Sequence, residues 1–258
     1  ADKNAVGGKV VDLIMHRENT DVKGALVWLR ENTNNFRNNK MNSHFISKPY
    51  VAPEPRFTFK SSRPIFSYLL KDYLKERHID LNIAKEHVRE IRFNDSKSKS
   101  NNGLVSLGIK NISGGYAMRN KLGHCVLDPH DITYIPTNSS TDTLLIFEGM
   151  FDFLSYLMIK KSSILTDDVI LLNTLTHVRR AAKHIEKLPH IGKVISFLDN
   201  PNHDKPDSVK NMNVALEILK NLPVDFYTAN SNFIEFEDVS HYWQSTGNQN
   251  PFIFTKFA

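Results

Sequence analysis

Three acidic side chains stand where a sequence can place metal-binding oxygens with few assumptions. Glu148 ends the apolar run Thr143-Leu-Leu-Ile-Phe147, Asp152 follows one helical turn later, and Asp199 ends a second run, Lys193-Val-Ile-Ser-Phe-Leu198. Runs this continuous read as strands buried on both faces, each followed by residues that can turn into a helix. Glu148 and Asp199 then lie at the carboxyl ends of strands, where open α/β sheets bind ligands. Carboxylates delivered there by adjacent strands can share a hard divalent cation such as Mg2+ or Mn2+. Asp199 alone also fits a helix N-cap, a common use of Asp at such turns; Glu caps helices poorly, so Glu148 is harder to read that way.

The elements that must position these acids follow from periodicity. Beyond Ser140 the pattern alternates: strand to 147, helix 151–160, strand 168–172, helix 176–188, strand 194–198, helix 208–219, strand 224–228. Such alternation predicts a parallel sheet flanked by helices, an α/β fold. Upstream, helices over 65–77 and 81–90 and short strands near 90–93, 105–109 and 116–119 predict an α+β subdomain. Residues 32–64 are rich in Asn, Lys, Ser and Pro and predict a linker. Two short amphipathic helices fit the apolar spacing before residue 31. The expected domains are therefore 1–31, a linker 32–64, an α+β subdomain 65–140, the parallel-sheet domain 141–235, and a tail 236–258.

Candidate phosphate ligands lie in the α+β part. Arg119 and Lys121 follow the Gly114-Gly115 turn, and Lys110 precedes it. Arg presents a planar fork to phosphate, and a Gly-Gly turn lets backbone approach a ligand closely. A solvated hairpin with scattered cations has the same sequence. Tyr116 fits either a stacking platform or a core position. His124 and Cys125 do not make a metal pair, because neighbouring side chains in a strand point to opposite faces.

The bulk numbers narrow the classes. The chain has 258 residues and a formal charge of +5, with a pI near 9.1, a balance that suits a polyanionic partner. One cysteine excludes an intrachain disulfide and a cysteine-rich zinc cluster, and a cytoplasmic protein is the expectation. No apolar run approaches the ~20 residues that cross a bilayer, so no membrane partner is expected. The first residue is not Met, and upstream sequence is expected.

The pattern Glu148-Gly-x-x-Asp152 after a buried strand, with a later apolar strand ending in Asp199, resembles the Toprim domain of bacterial primases, topoisomerases and some nucleases. Further stretches are similar to the DnaG-like primases, particularly the primase-like proteins of mobile elements in Bacteroides-type organisms. These are Ser113-Gly-Gly-Tyr-Ala-Met-Arg-Asn-Lys121 with Asp131-Ile-Thr133, and Tyr73-Leu-Lys-Glu-Arg-His-Ile-Asp80, which looks like the helix opening the primase core. Gly7 to Ile14 and Ala25 to Leu29 look like the end of a primase zinc-binding domain, past its ligands, so no zinc is expected in this chain.

The resemblance implies a Toprim-type parallel sheet preceded by a primase-core subdomain, and RNA primer synthesis from nucleoside triphosphates on single-stranded DNA. It implies Glu148 and Asp199 as catalytic, with Glu148, Asp152 and Asp199 holding Mg2+ or Mn2+. Arg119, Lys121 and Lys110 would meet nucleotide or nucleic acid, and a replicative helicase is an implied partner. Phe233 to Asp238 resembles the acidic stretch after Toprim, where Asp238 can also face the cations or be a plain surface acid. One departure matters. The second acid that Toprim proteins carry two positions after the first is Pro201 here, which has no side-chain oxygen. A catalytically degenerate Toprim protein that binds nucleic acid is therefore the alternative, with Toprim nuclease or relaxation chemistry a third.

Overall fold

A computed structural model describes residues 10–38, 55–98, 103–137, 139, 141–247 and 252–257. The chain divides into two compact units, 1–53 and 54–258. In the first, helices α1 (Val10–Arg17) and α2 (Val22–Asn38) pack together. Ile14 and Ala25 are buried, and the Arg17 guanidinium lies 5.1 Å from the centre of the Trp28 ring. Helix α2 runs on through Asn32-Thr-Asn-Asn-Phe-Arg-Asn38, which composition assigned to the linker. Helix growth is cooperative, so turns begun at Val22 extend into residues that would not nucleate a helix alone.

The second unit opens with β1 (Phe57–Arg63), α3 (Tyr68–Glu76) and α4 (Leu81–His87). Strand β1 also falls within the expected linker. Its alternation is weak, and antiparallel pairing with β2 (Arg89–Asp95) makes it a strand. Then come β3 (Leu104–Lys110), β4 (Tyr116–Asn120) and β5 (Gly123–Leu127). These five strands form one antiparallel sheet in chain order. At the α4 end, the Asp80 carboxylate caps the helix by accepting from the Asn82 N–H at 2.6 Å.

The second sheet begins with β6 (Thr133–Ile135), β7 (Thr143–Phe147), α5 (Met150–Lys160), β8 (Asp168–Leu171) and α6 (Val178–Ile185). It is completed by β9 (Lys193–Phe197), α7 (Pro206–Lys220), β10 (Asp225–Thr228), α8 (Val239–Thr246) and β11 (Thr255–Lys256). The strand order is β11-β10-β9-β7-β8-β6. The four central strands are mutually parallel, while β6 and β11 run antiparallel at the two edges. The fold is therefore mixed α/β with two sheets.

Strand alternation separates two cores across this second sheet. Leu145, Phe147, Val169, Leu171, Ile195 and Phe197 pack with α3, α5 and α8 on one face. Leu144, Ile146, Ile170, Val194 and Leu198 pack with α6 and α7 on the other. Phe147 is in register with Leu171 on one side and Phe197 on the other, and its ring stacks on Phe197 at 4.7 Å. Glu148, next after Phe147, and Asp199, two residues after Phe197, therefore emerge at the carboxyl ends of the two central strands, on one side of the sheet. No helix among the described residues is long and apolar enough to cross a membrane.

Candidate metal centre

Each acid reaches that end of the sheet for a local reason. Glu148 follows the fully buried β7. Gly149 is the N-cap of α5, and its N–H donates to the Asp152 Oδ2 at 3.0 Å, drawing Asp152 back over the start of the helix. A Cβ at position 149 would itself lie 3.0 Å from that oxygen, so the bare backbone lets the carboxylate sit this close. The Asp152 Oδ1 accepts from the Ser240 N–H at 3.4 Å. Asp199 follows β9, and Asp238 is the N-cap of α8, its Oδ1 accepting from the His241 N–H at 2.6 Å.

One carboxylate oxygen from each of Asp152, Asp199 and Asp238 lies within 4.8 Å of the others. Glu148 is outside that triad but lines the same cleft, of about 230 Å3, with Tyr73, Arg77, Arg119, Phe151 and Asn173. Of the acids expected to hold a cation, Asp152 and Asp199 meet in the triad, and Glu148 lines the cleft beside it. Asp238, weighed from sequence against a plain surface acid, supplies the third carboxylate of the triad.

The electrostatics follow from crowding. Burial raises the Asp152 carboxyl to about 8, with Asp238 and Glu148 adding to the push. Burial also raises Asp199, to about 10, helped by Asp152, Glu148, Asp238 and Glu237. Glu148 is raised by burial too, against the backbone amides of Leu175 and Asp199 and the charge of Arg119, which favour its ionised form. Carboxyls that repel one another this strongly hold protons or a cation. The Asp199 Oδ1 is buried and has no hydrogen-bond partner. An orphaned oxygen beside two further carboxylates fits a hard cation, and an all-oxygen donor set favours Mg2+ or Mn2+ over softer metals.

Two cations face the acids. The Arg77 Nη2 donates to the Ser240 Oγ at 2.8 Å, its guanidinium lies 4.6 Å from the centre of the Phe151 ring, and its Nε is buried without a partner. Arg119, at the end of β4, is near enough to act on Glu148. The other two predicted cations lie elsewhere. Lys121 is held by Asp72 at 2.9 Å and by Glu76. Lys110 lines a separate hollow with Phe57, Phe59 and Tyr116, where the Phe59 and Tyr116 rings stack at 5.7 Å. Tyr73 and Arg77 were not singled out from their residue types. Their signal was spacing, since positions four apart share a helix face, and only the fold aims that face at the acids.

A family described as a domain of unknown function, DUF8464, matches residues 59–127. No curated protein matches the chain. Among solved structures, the chain is similar to the primase fragment of the bacteriophage T7 primase-helicase protein, at 12% identity over 76% of this chain and 78% of that one, with a TM-score of 0.48. It is also similar to a chain of the bacteriophage T7 lagging-strand DNA polymerase interacting with primase domains of two gp4 subunits bound to an RNA/DNA hybrid and dTTP. There the identity is 13% over 72% of this chain and 92% of that one, with a TM-score of 0.45.

Proposed function

We propose that this chain is a Toprim-type, primase-like nucleotidyltransferase that builds RNA primers on single-stranded DNA. The observation that carries the reading is the meeting of Asp152, Asp199 and Asp238, from three different elements, opposite Arg77 and Arg119. The residue patterns that resemble Toprim primases give that meeting its chemistry. In the reaction the 3′ oxygen of one nucleotide attacks the α-phosphorus of the next. A phosphodiester forms as the bond to pyrophosphate breaks, and the hydroxyl proton passes to a base or to solvent.

Asp152, Asp199 and Asp238, with Glu148 beside them, would hold Mg2+ or Mn2+. The cation supplies charge stabilisation to the phosphorane-like transition state and orients the reacting oxygens. Arg77 and Arg119 bind phosphate oxygens across the cleft, where a guanidinium offers paired donors. Glu148, beside the triad, would take the hydroxyl proton. The domain assignments at 65–140 and 141–235, a replicative helicase as partner, and service to a plasmid or other mobile element belong to the same reading.

Pro201 favours a second reading, a degenerate site that binds nucleic acid without making primer. One experiment decides between them. The chain is incubated with single-stranded DNA, labelled ribonucleotides and Mg2+ or Mn2+, beside Glu148→Gln. Primers from the parent and not from the variant support catalysis. Salt-sensitive DNA binding without product from either supports the binding protein.

A further inference from the structure

The acids of the cleft are anchored unequally. Glu148, Asp152 and Asp199 each leave a buried strand or the first turn of a buried helix, whereas Asp238 ends the connection from β10 to α8. Two residues of that connection are firmly seated: Phe233 is 1% exposed and Val239 is fully buried. Between them, Ile234, Glu235 and Glu237 are exposed. Packing therefore fixes the two ends of this stretch and, through the half-buried Phe236 ring 5.4 Å from those of His241 and Tyr242, one point in its middle, while hydrogen bonds hold the rest of its backbone.

Those bonds come mainly from Asn200, the residue after Asp199. Its N–H donates to the Glu237 carbonyl at 2.6 Å. Its Nδ2 donates to the carbonyls of Phe233 at 2.9 Å and Phe236 at 2.8 Å. Its Oδ1 accepts from the Asn230 Nδ2 at 2.9 Å, and that same amide also donates to the Leu198 carbonyl at 2.8 Å. Both side-chain donors of Asn200 are thus spent on the 233–236 backbone, and its oxygen is oriented by a second amide. Asn232 ties the far side of the connection to Ile253, with Nδ2 to carbonyl at 2.6 Å and N–H to Oδ1 at 2.7 Å.

We propose that Asn200 is a positioning residue that sets how far Asp238 stands from Asp199 and so tunes the affinity of the centre for a divalent cation. The inference rests on the metal reading given above. Asn200 thus links the end of β9, which carries Asp199, to the connection that carries Asp238. Removing the Asn200 side chain would strand two carbonyls and the Asn230 donor, and the exposed stretch beside Asp238 would relax away from Asp199. Partners that orient metal ligands are commonly worth about 10- to 100-fold in affinity.

The test measures Mn2+ binding by the whole chain for four proteins: the parent, Asn200→Ala, Asp238→Asn and the double variant. Asn200→Ala is expected to weaken Mn2+ by about tenfold or more. In the double variant Asn200→Ala should add little to Asp238→Asn, because it acts through that carboxylate. Amide exchange should quicken over 234–238 in Asn200→Ala and hold steady over 239–246. Parent-like affinity in Asn200→Ala, or an equal loss with and without Asp238, overturns the proposal. If the parent binds no Mn2+, the metal reading fails by itself, and unchanged exchange over 234–238 then rejects the positioning role as well. Should Asn200→Ala not fold, Asn230→Ala removes the bond that orients Asn200 and should shift both readouts the same way by less.

Discussion

Two of the places where this molecule buries carboxylates do so in opposite ways. Glu90, on β2, is fully buried, yet each of its oxygens is answered. The Arg63 guanidinium donates twice to Oε1, at 2.9 and 2.6 Å, and the N–H groups of Phe66 and Ser67 donate to Oε2 at 2.9 and 2.7 Å. Burial pushes its pKa up, but these four donors outweigh burial and hold it below the usual range. In the cleft the balance is reversed: burial, with the neighbouring acids adding to it, outweighs the Gly149 and Ser240 N–H groups at Asp152 and raises Asp199 as well. A structural acid is given donors by its own chain. A cluster whose donors fall short of its charge, with the Asp199 Oδ1 left without one, is fitted to a cation from outside.

The largest expected effect on this contrast is catalytic. Asp199→Asn or Glu148→Gln should cut primer synthesis by at least about a hundredfold, read as product per time at saturating Mn2+, with the circular dichroism spectrum unchanged. A loss below tenfold would place the chemistry elsewhere.

Stability should then separate the two places by sign. Glu90→Ala strands Arg63 and two backbone N–H groups and is expected to cost about 3 kcal/mol. Asp152→Asn relieves repulsion and should leave the metal-free protein as stable as the parent or more so. Denaturant melts in EDTA measure both, and destabilisation by Asp152→Asn would break the comparison.

The dependence on pH sharpens it further. For Asp152 the folded pKa, near 8, exceeds the unfolded value of 3.8. Its favourable contribution is therefore complete below about 4 and is lost as pH rises toward 8. Glu90 has a lowered folded pKa, so its contribution is present above its unfolded value of 4.5 and is lost as pH falls through the folded one. Thermal melts in EDTA should accordingly decline from pH 5 to pH 8 through the cleft acids. Added Mn2+ should remove that decline by taking the place of the protons. A flat profile in EDTA would show that the acids do not crowd one another.

The smallest effect is expected at Lys121. Its ammonium already faces Asp72 and Glu76 on the surface, so Lys121→Ala should change melting and primer yield little. Arg119→Ala should reduce yield clearly, and equal losses from the two would restore Lys121 as a phosphate ligand.

How far the sequence could be read depends on how strongly each element signals by itself. Strands β7 and β9 are continuous apolar runs, so their terminal acids were legible. The edge strands β6 and β11 were not, being short, and β5, Gly123-His-Cys-Val-Leu127, has little alternation. Strand β1 exists because β2 pairs with it, a long-range cause that a local window does not contain. In the cleft, Asp238 follows a stretch with no apolar run, and its part depends on Asn200 and on α8 packing against α5 on one face of the sheet. Arg119 and Lys121 looked equivalent as types, and only the position of α3, with Asp72 and Glu76, distinguishes them.

One join carries a consequence for how the cleft can change. Helix α8 begins at Asp238 and is stapled to the end of α3 twice, through Ser240 to Arg77 and through the Trp243 indole N–H to the His78 carbonyl at 2.9 Å. A negative group and the positive group opposite it therefore ride on one mechanical unit. Loosening the indole, whose N–H bonds a backbone carbonyl and no carboxylate, would alter the charge balance of the cleft from both sides at once, as a detuning of the site and not as a loss of fold.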